Sequence, residues 1–212
     1  MSSCCASGAD ARFSKSAGDY ARRYQRRGLD GAQKHLRRGM LAEGIPGRSV
    51  LDVGCGVGGL LIELLRDGAS SGLGIDVSKG MIEKAASLAG AKGVSSKARF
   101  QVGDYAAMES GSILADIVVM DKVLCCTPDP ETLVARASAS GADLLAVSYP
   151  RDGFLARASF TSLNFLGKLL RWSFFPFYHH PDRLDGLMAA AGFRETRRSA
   201  TPFWQIVILK RT

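Results

Sequence analysis

The sequence predicts an α/β fold built on a doubly wound, mostly parallel sheet with helices on both faces. Three observations carry that expectation. Between Ser49 and Ser148, short apolar runs of strand length alternate with segments of helical spacing, as in a parallel sheet buried on both sides. The first run breaks into a glycine loop, Gly54-Cys55-Gly56-Val57-Gly58-Gly59, ahead of a helical segment. An aspartate stands at or beside the end of each of the first four runs: Asp52, Asp76, Asp104 and Asp121.

The elements follow in order. Residues 1–11 are small and polar and are expected to be frayed. Residues 12–48 form a helical cover, with one or two short helices over 13–43, and Gly44, Pro46 and Gly47 end it. Val50–Val53 is the first strand and Leu60–Arg66 the helix after the glycine loop. Gly72–Asp76 is the second strand, and Ser78 can cap a helix over 79–91. Ala98–Val102 is the third strand and runs into Gly103-Asp104-Tyr105. Ile117–Met120 is the fourth, Pro130–Ala139 a helix and Asp143–Ser148 the fifth strand. Residues 154–175 and Pro181–Ala191 read as helices, the second stopped by Gly192. Arg194–Arg198 and Gln205–Leu209 supply two closing strands, for a seven-stranded sheet. Residues 1–212 are thus expected to be one domain: a core over 49–148, with an acceptor lid and closing strands over 149–212.

With 212 residues and 46% hydrophobic side chains, the chain has the material for a packed core. This excludes a disordered chain, a disulfide miniprotein and a collagenous one. Five cysteines, in part as the neighbours Cys4-Cys5 and Cys125-Cys126, make a poor disulfide framework. A reducing, cytoplasmic setting is expected. No C-x-x-C pair suggests a metal site, and no metal is expected. Residues 1–11 lack a secretory signal pattern, and no apolar run reaches the roughly 18 residues that would span a bilayer.

The net charge of +8 points at first to nucleic acid. Its distribution does not. Residues 1–48 hold 10 basic and 4 acidic side chains, residues 49–148 hold 8 and 12, and residues 149–212 hold 10 and 4. The middle is acidic and both flanks are basic.

The glycines let backbone N–H groups approach a ligand that a Cβ would exclude. Gly54, Gly56 and Gly59 satisfy the dinucleotide fingerprint G-x-G-x-x-G, while Gly54, Gly56 and Gly58 satisfy the tighter G-x-G-x-G. The acids discriminate. A carboxylate at Asp52, beside the loop, would repel a pyrophosphate and tolerate a cation. Asp76 can take both hydroxyls of a ribose, Asp104 can accept from an exocyclic amine, and Asp121 ends the fourth strand. In a doubly wound sheet these ends converge on one crevice, suited to a nucleoside that bears a cation.

VLDVGCGVGG at 50–59, LGIDVS at 73–78, QVGDY at 101–105 and ADIVVMDKVLCCTPD at 115–129 resemble the successive motifs of class I S-adenosylmethionine-dependent methyltransferases. AGF at 191–193 and the closing WQIVILKR are similar to that family's C-terminal antiparallel hairpin. The tail is distantly similar to the magnesium-protoporphyrin O-methyltransferase group. The resemblance implies a Rossmann-like fold with S-adenosylmethionine as cofactor. It implies that Asp52, Gly54, Cys55, Gly56 and Gly58 line the methionine moiety, that Asp76 with Val77 takes the ribose, and that Asp104, Tyr105 and Asp121 complete the site. A nucleic-acid methyltransferase, a nicotinamide-dependent oxidoreductase and a non-catalytic cofactor-binding protein are the alternatives.

The acceptor must be sought in the flanks. Arg157, Thr161, Asn164, Lys168 and Arg171 form a polar, basic stripe at helical spacing. The apolar residues between them, with the cluster Phe174-Phe175-Pro176-Phe177, suggest a lid that also touches a membrane surface. His179 and His180 are candidate general bases. Tyr20, Tyr24, Tyr149, Arg151, Phe177 and Tyr178 are candidate acceptor contacts. No Asn-Pro-Pro-Tyr run follows the fourth strand, which argues against nucleobase or glutamine-amide methylation. The expected reaction is O-methylation of a small, apolar or anionic molecule.

Overall fold

A computed structural model describes residues 3–170 and 174–212. The strands are β1 (Ser49–Val53), β2 (Ser71–Asp76), β3 (Ala98–Val102), β4 (Ile117–Asp121), β5 (Leu144–Pro150), β6 (Phe193–Ala200) and β7 (Trp204–Arg211). The helices are α1 (Ser3–Arg27), α2 (Gly31–Glu43), α3 (Gly59–Arg66), α4 (Lys79–Ala91), α5 (Pro130–Ala139), α6 (Phe154–Leu169) and α7 (Pro181–Ala190). The strands make one sheet in the order β3-β2-β1-β4-β5-β7-β6. β1 to β5 pair in parallel, and β7 runs antiparallel between β5 and β6. This is the expected Rossmann-like sheet with its closing hairpin.

Local chemistry sets the helix starts. Asp30 accepts from the Gln33 N–H while the Gln33 side chain returns to the Asp30 N–H, a full capping box for α2. Ser78 caps α4, and Asp129 caps α5 with Pro130 in its first turn.

Both faces of the sheet are covered. On one, Leu36, Met40, Leu61 and Leu64 pack with Val50, Ile117, Leu144 and Ile208. On the other, Leu133, Leu184 and Met188 pack with Leu51, Val118, Leu145 and Val207. All seven residues of β5 are buried, which explains its unbroken apolar run. No described helix is long and apolar enough to cross a membrane.

Two segments depart from expectation. Helix α1 begins at Ser3, inside the stretch expected to be frayed, and runs 25 residues. Long-range contacts anchor it. Asp10 accepts from the Lys79 N–H, and Ser14 accepts from the Gly80 N–H and bonds the Ser78 hydroxyl. The long helix thus docks on the N-terminus of α4.

The expected helix over 154–175 ends at Leu169, and Arg171 of its proposed stripe lies outside the described residues, as does the Lys168 side chain. The faces of α6 also differ from the sequence reading. Asn164 turns inward and donates to the Pro176 carbonyl at 3.0 Å. Phe165, Leu166, Leu169 and Leu170 are exposed. Among the residues of α6 whose burial is described, Phe160 and Gly167 are the buried ones.

Candidate active site

The strand order reverses between β1 and β4, the switch point where a parallel sheet opens a crevice at its carboxyl ends. A cavity of about 950 Å³ lies there. Asp52, Gly54, Cys55, Gly56, Asp76, Val77, Asp104, Tyr105 and Asp121 all line it. Tyr20 and Tyr24 close it from α1.

The glycine loop is shaped by backbone needs. The Gly54 and Cys55 N–H groups both donate to the Ile75 carbonyl, at 2.7 and 3.1 Å, tying the end of β1 to β2. Gly54 sits at φ +66°, and a Cβ there would stand 2.4 Å from Val123 Cγ2. Gly56, at φ +54°, faces open space, and its N–H donates to Asp76 Oδ2 at 2.8 Å. Asp76 Oδ1 accepts from the Ser78 N–H at 2.8 Å. Gly58 does not line the cavity. It starts α3 in a left-handed conformation, and a Cβ there would meet the Phe100 ring at 2.8 Å.

The acids are held in unusual states. Asp52 is buried, and burial pushes its carboxyl well above the usual range, with Asp121 and Asp76 adding to the rise. Burial also raises Asp76, against the two N–H groups that favour its charge. Burial lifts the Tyr105 phenol to about 12, and Asp104 accepts from the Ala106 N–H at 3.0 Å. Asp121 accepts from the Ser148 hydroxyl at 2.6 Å and from Lys122 Nζ at 2.9 Å.

Lys122 is a member of the site that sequence reasoning missed. It holds φ +61°, the one left-handed non-glycine residue among those described. Its Nζ reaches Asp30 Oδ2 at 2.8 Å and lies 5.6 Å from the centre of the Trp204 ring. Burial disfavours the ammonium, but Asp121 and Asp30 outweigh it and raise its pKa. Asp30, Lys122, Cys126 and Trp204 all line the cavity. The capping pattern Asp30…Gln33 was a readable signal for the helix start but not for this contact, and Trp204 carried none.

Several expected contacts lie elsewhere. His179 is buried, with Nε2 donating to the Thr127 carbonyl at 2.9 Å. His180 caps α7 and stands 3.5 Å from Asp152. Tyr149 is fully buried and its hydroxyl donates to Asp185. The Arg151 N–H bonds the Phe203 carbonyl, the Phe177 N–H bonds the Cys125 carbonyl, and the Tyr178 hydroxyl donates to Asp152. None of these six lines the cavity; Phe177 and His179 are held instead by the Cys125 and Thr127 carbonyls of the turn after β4. Among the described residues no cluster could hold a metal ion.

A family model described as a methyltransferase domain matches residues 50–140, the segment that supplies β1, β2, β3 and β4 and the acids at their ends. Over that segment, less than half of the chain, the sequence is similar to a methyltransferase domain. The chain is 32% identical over 105 residues to ajmaline N-methyltransferase of Rauvolfia serpentina, covering 48% of this chain and 36% of that protein. It is 27% identical over 175 residues to a probable chloroplastic tocopherol O-methyltransferase of Oryza sativa subsp. japonica, covering 76% of this chain and 48% of that one. The chain therefore spans less than half the length of both. Among solved structures, magnesium protoporphyrin IX methyltransferase from Synechocystis PCC 6803 with bound SAH superposes with a TM-score of 0.77 at 21% identity, over 98% of this chain and 100% of that one. At that identity the likeness shows the methyltransferase fold.

Proposed function

We propose that this chain transfers a methyl group from S-adenosylmethionine to an oxygen of a small, apolar or anionic acceptor. One observation carries the reading: the glycine loop and the aspartates at four strand ends meet in a single cavity that Tyr20, Tyr24 and Trp204 also line. The residues fit the cofactor. Open space before Gly56 leaves the backbone accessible. A cluster of carboxylates, with Asp52 buried among them, matches a ligand that is positive at sulfur. When bound, S-adenosylmethionine supplies an activated methyl group whose leaving sulfur is neutral.

The protein's task is then alignment and exclusion of water. Helix α1 packs on α3, with the Tyr24 ring against Gly59 and its hydroxyl donating to Glu63 at 2.7 Å. The acceptor oxygen forms a bond to the methyl carbon as the carbon–sulfur bond breaks. No histidine lines the cavity, and Lys122 is held between two carboxylates. Both facts favour an oxygen already ionised at neutral pH, such as a carboxylate, which needs no general base. The tocopherol O-methyltransferase and magnesium protoporphyrin IX methyltransferase relatives are compatible with a small apolar acceptor. The odd cysteine count favours a cytoplasmic setting.

Calorimetric titration with S-adenosylhomocysteine and with NADH tests the cofactor. The reading requires the first to bind and fails if only the second does. Incubation with methyl-labelled S-adenosylmethionine and a small-molecule extract tests the acceptor. A base-labile methyl ester is expected, and label recovered only in nucleic acid overturns the acceptor class.

A further inference from the structure

Exposed apolar side chains gather on one helix. Leu163, Phe165, Leu166, Leu169 and Leu170 are 38, 72, 45, 71 and 57% exposed, whereas the other exposed large apolar residues, such as Leu41, Val102 and Leu114, are scattered along the chain. The inward line of α6 is used up: Phe160 stacks on Phe203 at 6.3 Å and meets the Tyr178 ring edge-on at 5.8 Å, and Asn164 is bonded to Pro176. The five exposed residues point away from that line. A contiguous apolar face of this kind on a folded domain marks an interaction surface.

The charge around the face selects its partner. No acidic residue occurs between Asp152 and Asp182, while Arg157, Lys168 and Arg171 fall in that interval; Arg157 is paired with Asp152, and the sequence keeps an excess of basic residues beyond that pair. A helix with an apolar face in a segment with an excess of basic residues is suited to lie in the headgroup boundary of an anionic membrane. Pairing the face with a second copy would instead bring like charges together.

The helix is also coupled to the wall of the cavity. Phe203, which stacks on Phe160, lies 5.1 Å from the ring of Trp204, and Trp204 lines the cavity. Phe174, just after α6, packs edge-on at 5.5 Å against Phe13, which also lines the cavity.

We propose that the outer face of α6 docks on the surface of an anionic lipid bilayer and turns the aromatic rim of the cavity toward it. Docking is independent of the methyl-transfer reading. That the acceptor enters from the lipid side rests on it.

The test is sedimentation of the full chain with large vesicles of phosphatidylcholine, with and without phosphatidylglycerol, alongside the double variant Phe165→Ser/Leu169→Ser. The wild-type chain is expected to bind the anionic vesicles and to bind neutral ones more weakly. The variant should partition roughly 100-fold less, since two large side chains no longer enter the hydrocarbon boundary. Both positions are exposed, so the variant should keep its circular dichroism and its S-adenosylhomocysteine affinity. Wild-type protein that stays in the supernatant overturns the proposal, as does a variant that binds as the wild type does. A dimer by light scattering that the variant splits, without vesicle binding by either protein, overturns it in favour of a second copy. Failure to bind S-adenosylhomocysteine sinks the cofactor reading and leaves the vesicle result standing by itself.

Discussion

Lys122 Nζ lies 2.8 Å from Asp30 Oδ2, joining the end of the fourth strand to the cap of the second helix. The same ammonium lies 2.9 Å from Asp121, so it is shared by two carboxylates on the cavity wall. Arg23 adds a second, weaker contact to Asp30 at 3.1 Å.

Lys122→Met should therefore destabilise the fold by about 2–3 kcal/mol, because two partly buried carboxylates lose their common cation. Adding Asp30→Asn should recover part of the loss, since asparagine still caps α2. Urea unfolding of the two single variants and the double variant measures the coupling. Strictly additive effects would contradict it.

Gly54→Ala meets two obstacles: a left-handed backbone and a Cβ 2.4 Å from Val123 Cγ2. A loss of about 2–4 kcal/mol is expected. In the Val123→Ala background the steric part should disappear, leaving about 1 kcal/mol for the backbone. Thermal unfolding of the four proteins in this cycle checks it.

Asp52 gives a pH signature. Burial holds its folded pKa well above the usual 3.8. The folded state therefore binds the proton more tightly than the unfolded chain does. Its stabilising contribution is complete below pH 3.8 and is lost as pH rises from there through the folded value. Asp52→Asn removes that slope, so its stability relative to wild type should increase as pH rises above 3.8.

A cation in the cavity favours ionised Asp52. Binding of S-adenosylmethionine should release a proton and lose about tenfold more affinity in Asp52→Asn than binding of S-adenosylhomocysteine. Calorimetry in buffers of different ionisation enthalpy measures both. Equal losses for the two ligands would remove Asp52 from the charge-recognition role.

Tyr149→Phe separates packing from recognition. Tyr149 is fully buried and bonded to Asp185, outside the cavity. The variant should lose about 1–2 kcal/mol of stability with unchanged S-adenosylhomocysteine affinity, read by denaturation and calorimetry.

The core was legible because its pattern is local. Apolar runs such as Leu144–Ser148 are buried along their length, and Asp52, Asp76, Asp104 and Asp121 mark strand ends that the topology must bring together. What was not legible depends on remote partners. Nothing near Ser3–Asp10 announces a helix; its anchors are Ser78, Lys79 and Gly80, far along the chain. Asp30, Lys122 and Trp204 come from three distant segments, and only the folded sheet gathers them. His179 and His180 look catalytic by residue type, yet a backbone carbonyl and a helix cap occupy them. On α6, periodicity marked a polar stripe, but Asn164 of that stripe turns inward and Phe165, Leu166 and Leu169 stay exposed.

The place of β7 has a consequence for how the chain matures. It threads between β5 and β6, so β5, buried along its whole length in the finished fold, stays open along one side until residues 204–211 arrive. An open apolar strand is a template for aggregation. The same insertion delivers Trp204 to the cavity wall. Completion of the sheet and completion of the binding site are one event, and a nucleoside that occupies the cavity should act as a folding chaperone for the strand that finishes it.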